Sequence, residues 1–159
     1  MTSKRSITLA TFIALAMAMM AVAVVQATPP TGQHPSTPLI GTLESSTLIN
    51  TDRIKLQTKD ATDVATFTVA YDPGGFSGWH THPGVVIVTV QTGSVIRTVG
   101  CTSVTYGVGQ SFIESDEQAV GSVANASAVD PAVLSVTQIV PHGSVRRVDV
   151  AAADAPACP

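Results

Sequence analysis

The chain has 159 residues, with 8 lysines and arginines against 11 aspartates and glutamates and a formal net charge of −3. That length is one domain's worth of chain and predicts a single core. Only 12% of residues are charged, and no basic stripe or aromatic-basic interleaving is present, which argues against nucleic acid as a partner.

Residues 1–27 have the pattern of an export signal. Lys4 and Arg5 precede the almost wholly apolar run Ile7 to Val25, and Val25-Gln26-Ala27 places small residues at a cleavage position, so the cut is expected after Ala27. The apolar run of 19 residues is also just long enough to span a bilayer, which leaves a retained anchor as the rival reading. The A-x-A-like site and the Pro-rich stretch behind it favour cleavage, with no membrane insertion afterwards. Removing two basic residues takes the formal charge from −3 to −5.

Residues 28–42, opening TPPTGQHPSTP, are rich in Pro and Thr and predict a mobile linker, with His34 a bystander. Residues 43–147 read as an all-β domain: short β-prone runs separated by turn residues, with no helical periodicity. Ala65, Phe67, Val69 and Tyr71 alternate with Thr66, Thr68 and Ala70, predicting a half-buried strand that ends at the turn Asp72-Pro73-Gly74-Gly75. Val85–Gln91, Val95–Val99, Ser103–Tyr106, Ser111–Glu114, Gly121–Asn125 and Ala132–Val140 follow. So many short strands with tight turns predict a small sandwich or barrel. Residues 148–159 form a tail. In an exported chain Cys101 and Cys158 can pair and tie this tail to the domain; their wide separation, without CxxC spacing, does not suggest a redox or metal pair.

The stretch GGFSGWHTHPG, Gly74 to Gly84, carries the chemistry. Side chains on a strand alternate faces, so His80 and His82 point to one side while Thr81 points away, an arrangement that can hold a metal inside a barrel. Trp79 beside them is expected to pack in the core or at the rim.

The spacing Gly74-x5-His80-x-His82-x3-Val86-x6-Gly93 resembles the first motif of the cupin superfamily, in which Val86 takes the place of a glutamate. The second cupin motif is matched only weakly between Gly109 and Asn125. Ser115 replaces its proline, and either Val120 or Gly121 stands where its histidine belongs. The resemblance runs from about Val64 to Arg147 and is nearest to small exported bacterial single-domain cupins. It implies a jelly-roll β-barrel, often dimeric, with the site in its mouth and three histidines and a glutamate on iron, manganese, nickel, copper or zinc. Here only His80 and His82 carry over, and two imidazoles alone hold a divalent ion weakly.

Glu114 is the best candidate for a third ligand, completing two histidines and one carboxylate, although a strand charge ordinarily faces solvent. Glu117, Gln118 and His142 are weaker candidates. No nucleophile elbow, phosphate loop or dinucleotide fingerprint is present, and the sequon at Asn125 carries little weight.

Two function readings follow. The first is an exported small-molecule-binding or degenerate cupin module with at most a weak two-histidine site. The second is a metal-dependent oxygenase or isomerase of a small molecule that uses His80, His82 and a non-standard third ligand. The catalytic residues, and the choice between monomer and homodimer, stay open.

Overall fold

The computed structural model describes residues 27–115 and 120–158. The signal-like segment up to Gln26, and Glu117 and Gln118, lie outside the described residues. The strands run β1 (Thr31–Pro35), β2 (Leu39–Leu43), β3 (Leu48–Asn50), β4 (Lys55–Gln57), β5 (Thr62–Phe76), β6 (His80–Thr81) and β7 (Val85–Thr92). The second half of the chain adds β8 (Ser94–Val99), β9 (Thr102–Gly107), β10 (Ser111–Glu114), β11 (Gly121–Asn125), β12 (Ala132–Pro141) and β13 (Val148–Asp149). A single 3₁₀ turn, Ala152–Asp154, is the only helical element among the described residues. None of them forms a helix long and apolar enough to cross a membrane.

Eleven strands make one antiparallel sheet with the path β10-β7-β12-β5-β11-β6-β13. β1 and β2 add to β5, and β8 joins β11 to β9. The sheet curls into a nearly closed jelly-roll barrel, one of the two architectures the strand pattern predicts and the one the resemblance implies, and β3 and β4 form a separate hairpin.

Curling depends on β5. Its first ten residues pair with β12, from Tyr71↔Ala132 to Thr62↔Pro141, whereas Phe76 pairs with Ala124 of β11. The expected turn at Asp72–Gly75 is therefore a corner inside one continuous strand. Gly74, at φ +68°, supplies a backbone conformation that other residues rarely adopt, and the strand crosses from one wall to the other there.

The expected linker also differs. Thr31–Pro35 and Leu39–Leu43 are strands that pair with β5, Gln33 opposite Tyr71 and Ile40 opposite Ala65. A Pro-containing segment can serve as an edge strand because a missing N–H costs nothing on the open side.

Inward residues alternate along the central strands: Val86, Val88 and Val90 on β7, and Ala132, Leu134 and Val136 on β12, packed against Tyr71, Val95, Phe112 and Val123. Burial of each valine or leucine contributes roughly 1.5–3 kcal/mol. The next inward position on β12 is Gln138, only 5% exposed. One register row crosses the wall from Glu114 through Val86 and Gln138 to Ala65 and Ile40.

The tail is part of the fold. Val148 and Asp149 pair with Thr81 and His80, Thr28 N–H donates to Val150 O at 3.1 Å, and Cys158 is joined to Cys101 by a disulfide.

Candidate metal centre

His80 lies on the two-residue β6 and His82 just beyond it, both inward and buried at 6% and 5% exposure. The glycines around them serve close approach. A Cβ on Gly78, whose φ is +72°, would stand 2.1 Å from the Thr28 carbonyl oxygen, and one on Gly84 would stand 2.2 Å from the Ile139 oxygen. Chain can therefore press in from both sides and hold the histidines in place.

Each imidazole is oriented by a backbone carbonyl. His80 Nδ1 is 2.9 Å from Gly78 O, and His82 Nδ1 is 2.7 Å from Arg146 O. A carbonyl only accepts, so both Nδ1 atoms carry the proton and both Nε2 atoms keep a lone pair. Burial, reinforced by the Arg147 charge, pushes the His80 pKa down to about 4, which keeps this ring neutral at physiological pH.

Glu114 ends β10 and faces the same space, its side chain 12% exposed. The solvent-facing position usual for a strand charge is not what it adopts. Its Oε2 lies 3.3 Å from His82 Nε2 and 4.0 Å from His80 Nε2. Burial opposes its ionisation, but the contact with His82, with Arg97 nearby, outweighs burial and holds the carboxyl below its ordinary pKa. Arg97 Nε stands 3.9 Å from Glu114 Oε1, with the guanidinium 5.4 Å from the centre of the Phe112 ring.

Three acceptors thus converge, with ligand atoms all within 4.8 Å of one another. His82 Nε2 is buried and has no aligned hydrogen bond despite the 3.3 Å approach. With both Nε2 atoms unprotonated, the two lone pairs and the carboxylate form a set that could hold a cation. Ligands on a metal with bonds near 2.1 Å stand roughly 3.0–3.4 Å apart. The His82–Glu114 separation meets that range, and the His80–Glu114 separation is wider by several tenths of an ångström. The residues fit a divalent ion bound by two histidines and one carboxylate.

The register shows how the set departs from the first motif. Val86, in the position of the motif's glutamate, pairs directly with Glu114 on the neighbouring strand. The carboxylate has moved one strand sideways in the same inward row. Gly121, one of the two residues that can stand at the second motif's histidine position, pairs with His80.

A jelly roll with the His-x-His pair of the first motif turned into its interior has the architecture implied by the sequence resemblance. The fold is a jelly-roll barrel of the kind that resemblance implies. No protein-family model matches the chain, and no curated protein sequence does. Among solved structures, the chain is similar to an uncharacterized conserved protein with a double-stranded β-helix domain from Klebsiella pneumoniae, at 19% identity and a TM-score of 0.48, over 55% of this chain and 74% of that one. It is also similar to the Cnp3 cupin domain of Schizosaccharomyces pombe, at 14% identity and a TM-score of 0.43, over 58% and 61% of the two chains. A third likeness is to oxalate oxidase in complex with the substrate analogue glycolate, at 20% identity and a TM-score of 0.46, over 55% of this chain and 46% of that one. These are likenesses of fold, which does not fix function.

The barrel encloses a cavity of about 380 Å³ that reaches the three candidate ligands. Its walls are apolar, including Phe67, Val88 and Val136, and its polar lining outside the metal set includes Gln33, Tyr71, Gln138, Arg146 and Arg147. Burial raises the Tyr71 hydroxyl above its ordinary pKa, so it stays protonated while it accepts a 2.6 Å hydrogen bond from Gln33 Nε2.

Other expected candidates lie elsewhere. His142 Nδ1 is 2.7 Å from Asp63 Oδ1 on the surface, and His34 Nε2 is 2.8 Å from Asp72 Oδ2, with both partners exposed. Trp79 packs edge-on against Phe76 with ring centres 6.4 Å apart. The Asn125 amide is buried and donates to the carbonyls of Asp72 and Asp130, so the sequon is structural. Gln138 and Arg146 gave no motif. For Gln138 the available signal was a polar residue in the inward row Ala132, Leu134, Val136, Gln138, Val140.

Proposed function

We propose that this chain is an exported, metal-binding cupin that takes a small molecule into its barrel, with His80 Nε2, His82 Nε2 and Glu114 Oε2 as the protein's metal ligands. The observation that carries this reading is Glu114: a buried carboxylate 3.3 Å from the Nε2 of a histidine whose other nitrogen already donates to Arg146 O. The reading extends the two-histidine remnant expected from the first motif to a three-ligand set. Export is supported by the Lys4-Arg5 and apolar pattern of residues 1–27 and by the Cys101–Cys158 disulfide.

A divalent ion bound there supplies Lewis acidity and open coordination positions. The chain's own residues do the rest. The Gly78 and Arg146 carbonyls fix both imidazole tautomers. The Val and Phe walls give the cavity an apolar side, and Val86 separates Glu114 from Gln138 in the same row. A set of two histidines and one carboxylate is also that of non-haem iron oxygenases, which keeps the enzymatic reading as the second one.

The test is metal content and affinity of the untagged, exported protein beside Glu114→Gln and the double variant His80→Ala/His82→Ala. Near-stoichiometric metal in the wild type, at least tenfold weaker binding in Glu114→Gln and none in the double variant is the expected result. Wild-type metal at the level of the double variant, after incubation with iron, manganese, nickel, copper and zinc, sinks the reading.

A further inference from the structure

The cavity holds a second unmet demand. Gln138 Nε2 points at Arg146 O, 3.4 Å away, and this fixes the orientation of the amide. Its Oε1 is buried and has no hydrogen-bond partner among the described residues. A buried acceptor left unpaired is costly, and Gln138 lines the cavity beside the candidate ligands, sharing the Arg146 carbonyl with His82. An apolar residue at this inward position would have continued the row of Leu134 and Val136.

Charge points the same way. Arg97, Arg146 and Arg147 border the cavity and its small annex, and the carboxylates among them are Glu114, near Arg97, and Asp149, paired with Arg147. Arg147 also donates to Ser77 O at 2.5 Å, which holds it at the wall. Cations outnumber carboxylates there even before a metal is added. A cavity of about 380 Å³ is at the small end for ligand sites.

We propose that the cavity selects a small organic anion that also carries a hydrogen-bond donor, the donor received by Gln138 Oε1 and the negative charge by the arginine pair Arg146–Arg147. This deepens the small-molecule reading above by naming the ligand class. The apolar body of the ligand rests against Phe67, Val88 and Val136. Gln138 is then the residue that discriminates: an analogue lacking the donor leaves its oxygen unpaired, whereas one that has it satisfies the oxygen out of water.

The probes are mandelate, phenylacetate, which lacks the hydroxyl, and methyl mandelate, which lacks the charge. Binding is measured by calorimetry on the exported full chain, both metal-free and zinc-loaded. Mandelate is expected to bind at least tenfold tighter than either analogue. In Gln138→Leu, the ratio of mandelate to phenylacetate affinity falls to about one, and its melting temperature without ligand equals or exceeds that of wild type because the unpaired oxygen is gone. If Gln138→Leu does not fold, Gln138→Met is measured in the same way. Equal affinities for mandelate and phenylacetate, a preference retained in the variant, or no mandelate binding to either form overturns the inference. Equal binding of the ester overturns the anion assignment. Discrimination that persists in a protein unable to bind zinc overturns the metal reading alone.

Discussion

At the scale of single residues, the ionisable groups divide into those held for chemistry and those held for the surface. His80 is buried, and its pKa is lowered to about 4 from an ordinary 6.5. The unfolded chain takes up this proton near 6.5 and the folded chain only near 4, so the His80 contribution to stability is intact above pH 6.5 and is lost as pH falls through that window. The slope approaches about 1.4 kcal/mol per pH unit. Metal-free protein is therefore expected to lose melting temperature between pH 6.5 and 4, and His80→Gln to lose less over the same range. Identical pH profiles would contradict the burial of a neutral imidazole. Asp63 and His142 show the opposite pairing. The hydrogen bond from His142, with those from Gly143 N–H and Thr42, lowers the Asp63 pKa to about 2, and the same contact raises His142 above 6.5. The Asp63 contribution is present above pH 3.8 and lost toward 2; the His142 contribution is present below 6.5 and lost as pH rises through the raised value. An NMR titration should place the His142 midpoint above 6.5 in the wild type and back near 6.5 in Asp63→Asn.

At the scale of strands, the site is a matter of register. Glu114 and Val86 are direct cross-strand partners, and Val86 holds the position at which the first cupin motif carries its carboxylate. Exchanging them is a direct test of equivalence. Glu114→Val should weaken metal binding at least tenfold, and adding Val86→Glu should recover most of the loss, because the carboxylate returns to the same inward row one strand away. Failure of the double variant to recover, in a barrel shown to be folded by its melting curve, would mean that the two positions do not present a carboxylate to the same point. The same register explains what the sequence could and could not disclose. Strand positions from Ala65 to Val140 were legible because period-two alternation is a local property. The histidine pair was legible because its spacing lies within one short extended segment. Glu114 was visible only as a candidate, because its neighbours 80 and 82 are brought to it by pairings that no local pattern encodes. β1 and β2 were hidden by Pro, Thr and Ser, which read as linker until an edge on β5 is there to receive them. The corner at Gly74 was hidden because Asp-Pro-Gly-Gly has the same composition whether the chain reverses or merely bends.

At the scale of the whole molecule, the barrel is closed at the candidate metal site by the two ends of the described chain. Thr28 N–H donates to Val150 O, Trp79 N–H donates to Thr28 Oγ1 at 2.8 Å, and Val150 N–H donates to Trp79 O at 2.9 Å, so both termini clamp the segment that leads into His80. Arg146 and β13 belong to this clamp, which means that a carbonyl orienting His82 is supplied by the tail. The tail contributes few buried side chains of its own, and its end is fixed by the Cys101–Cys158 disulfide across 57 residues of chain. Closing a loop of that size stabilises the fold by about 4 kcal/mol in the chain-entropy model. For a domain of this length, that corresponds to roughly 15 °C in melting temperature. Cys101→Ser/Cys158→Ser is therefore expected to melt about that much lower, and hydrogen exchange at the Val150 amide should accelerate more than at amides of the β12–β5 ladder, which gains nothing directly from the tail. If the double variant melts within about 3 °C of wild type and Val150 keeps its protection, the tail is held by its hydrogen bonds alone, and the disulfide has no part in shaping the candidate metal site.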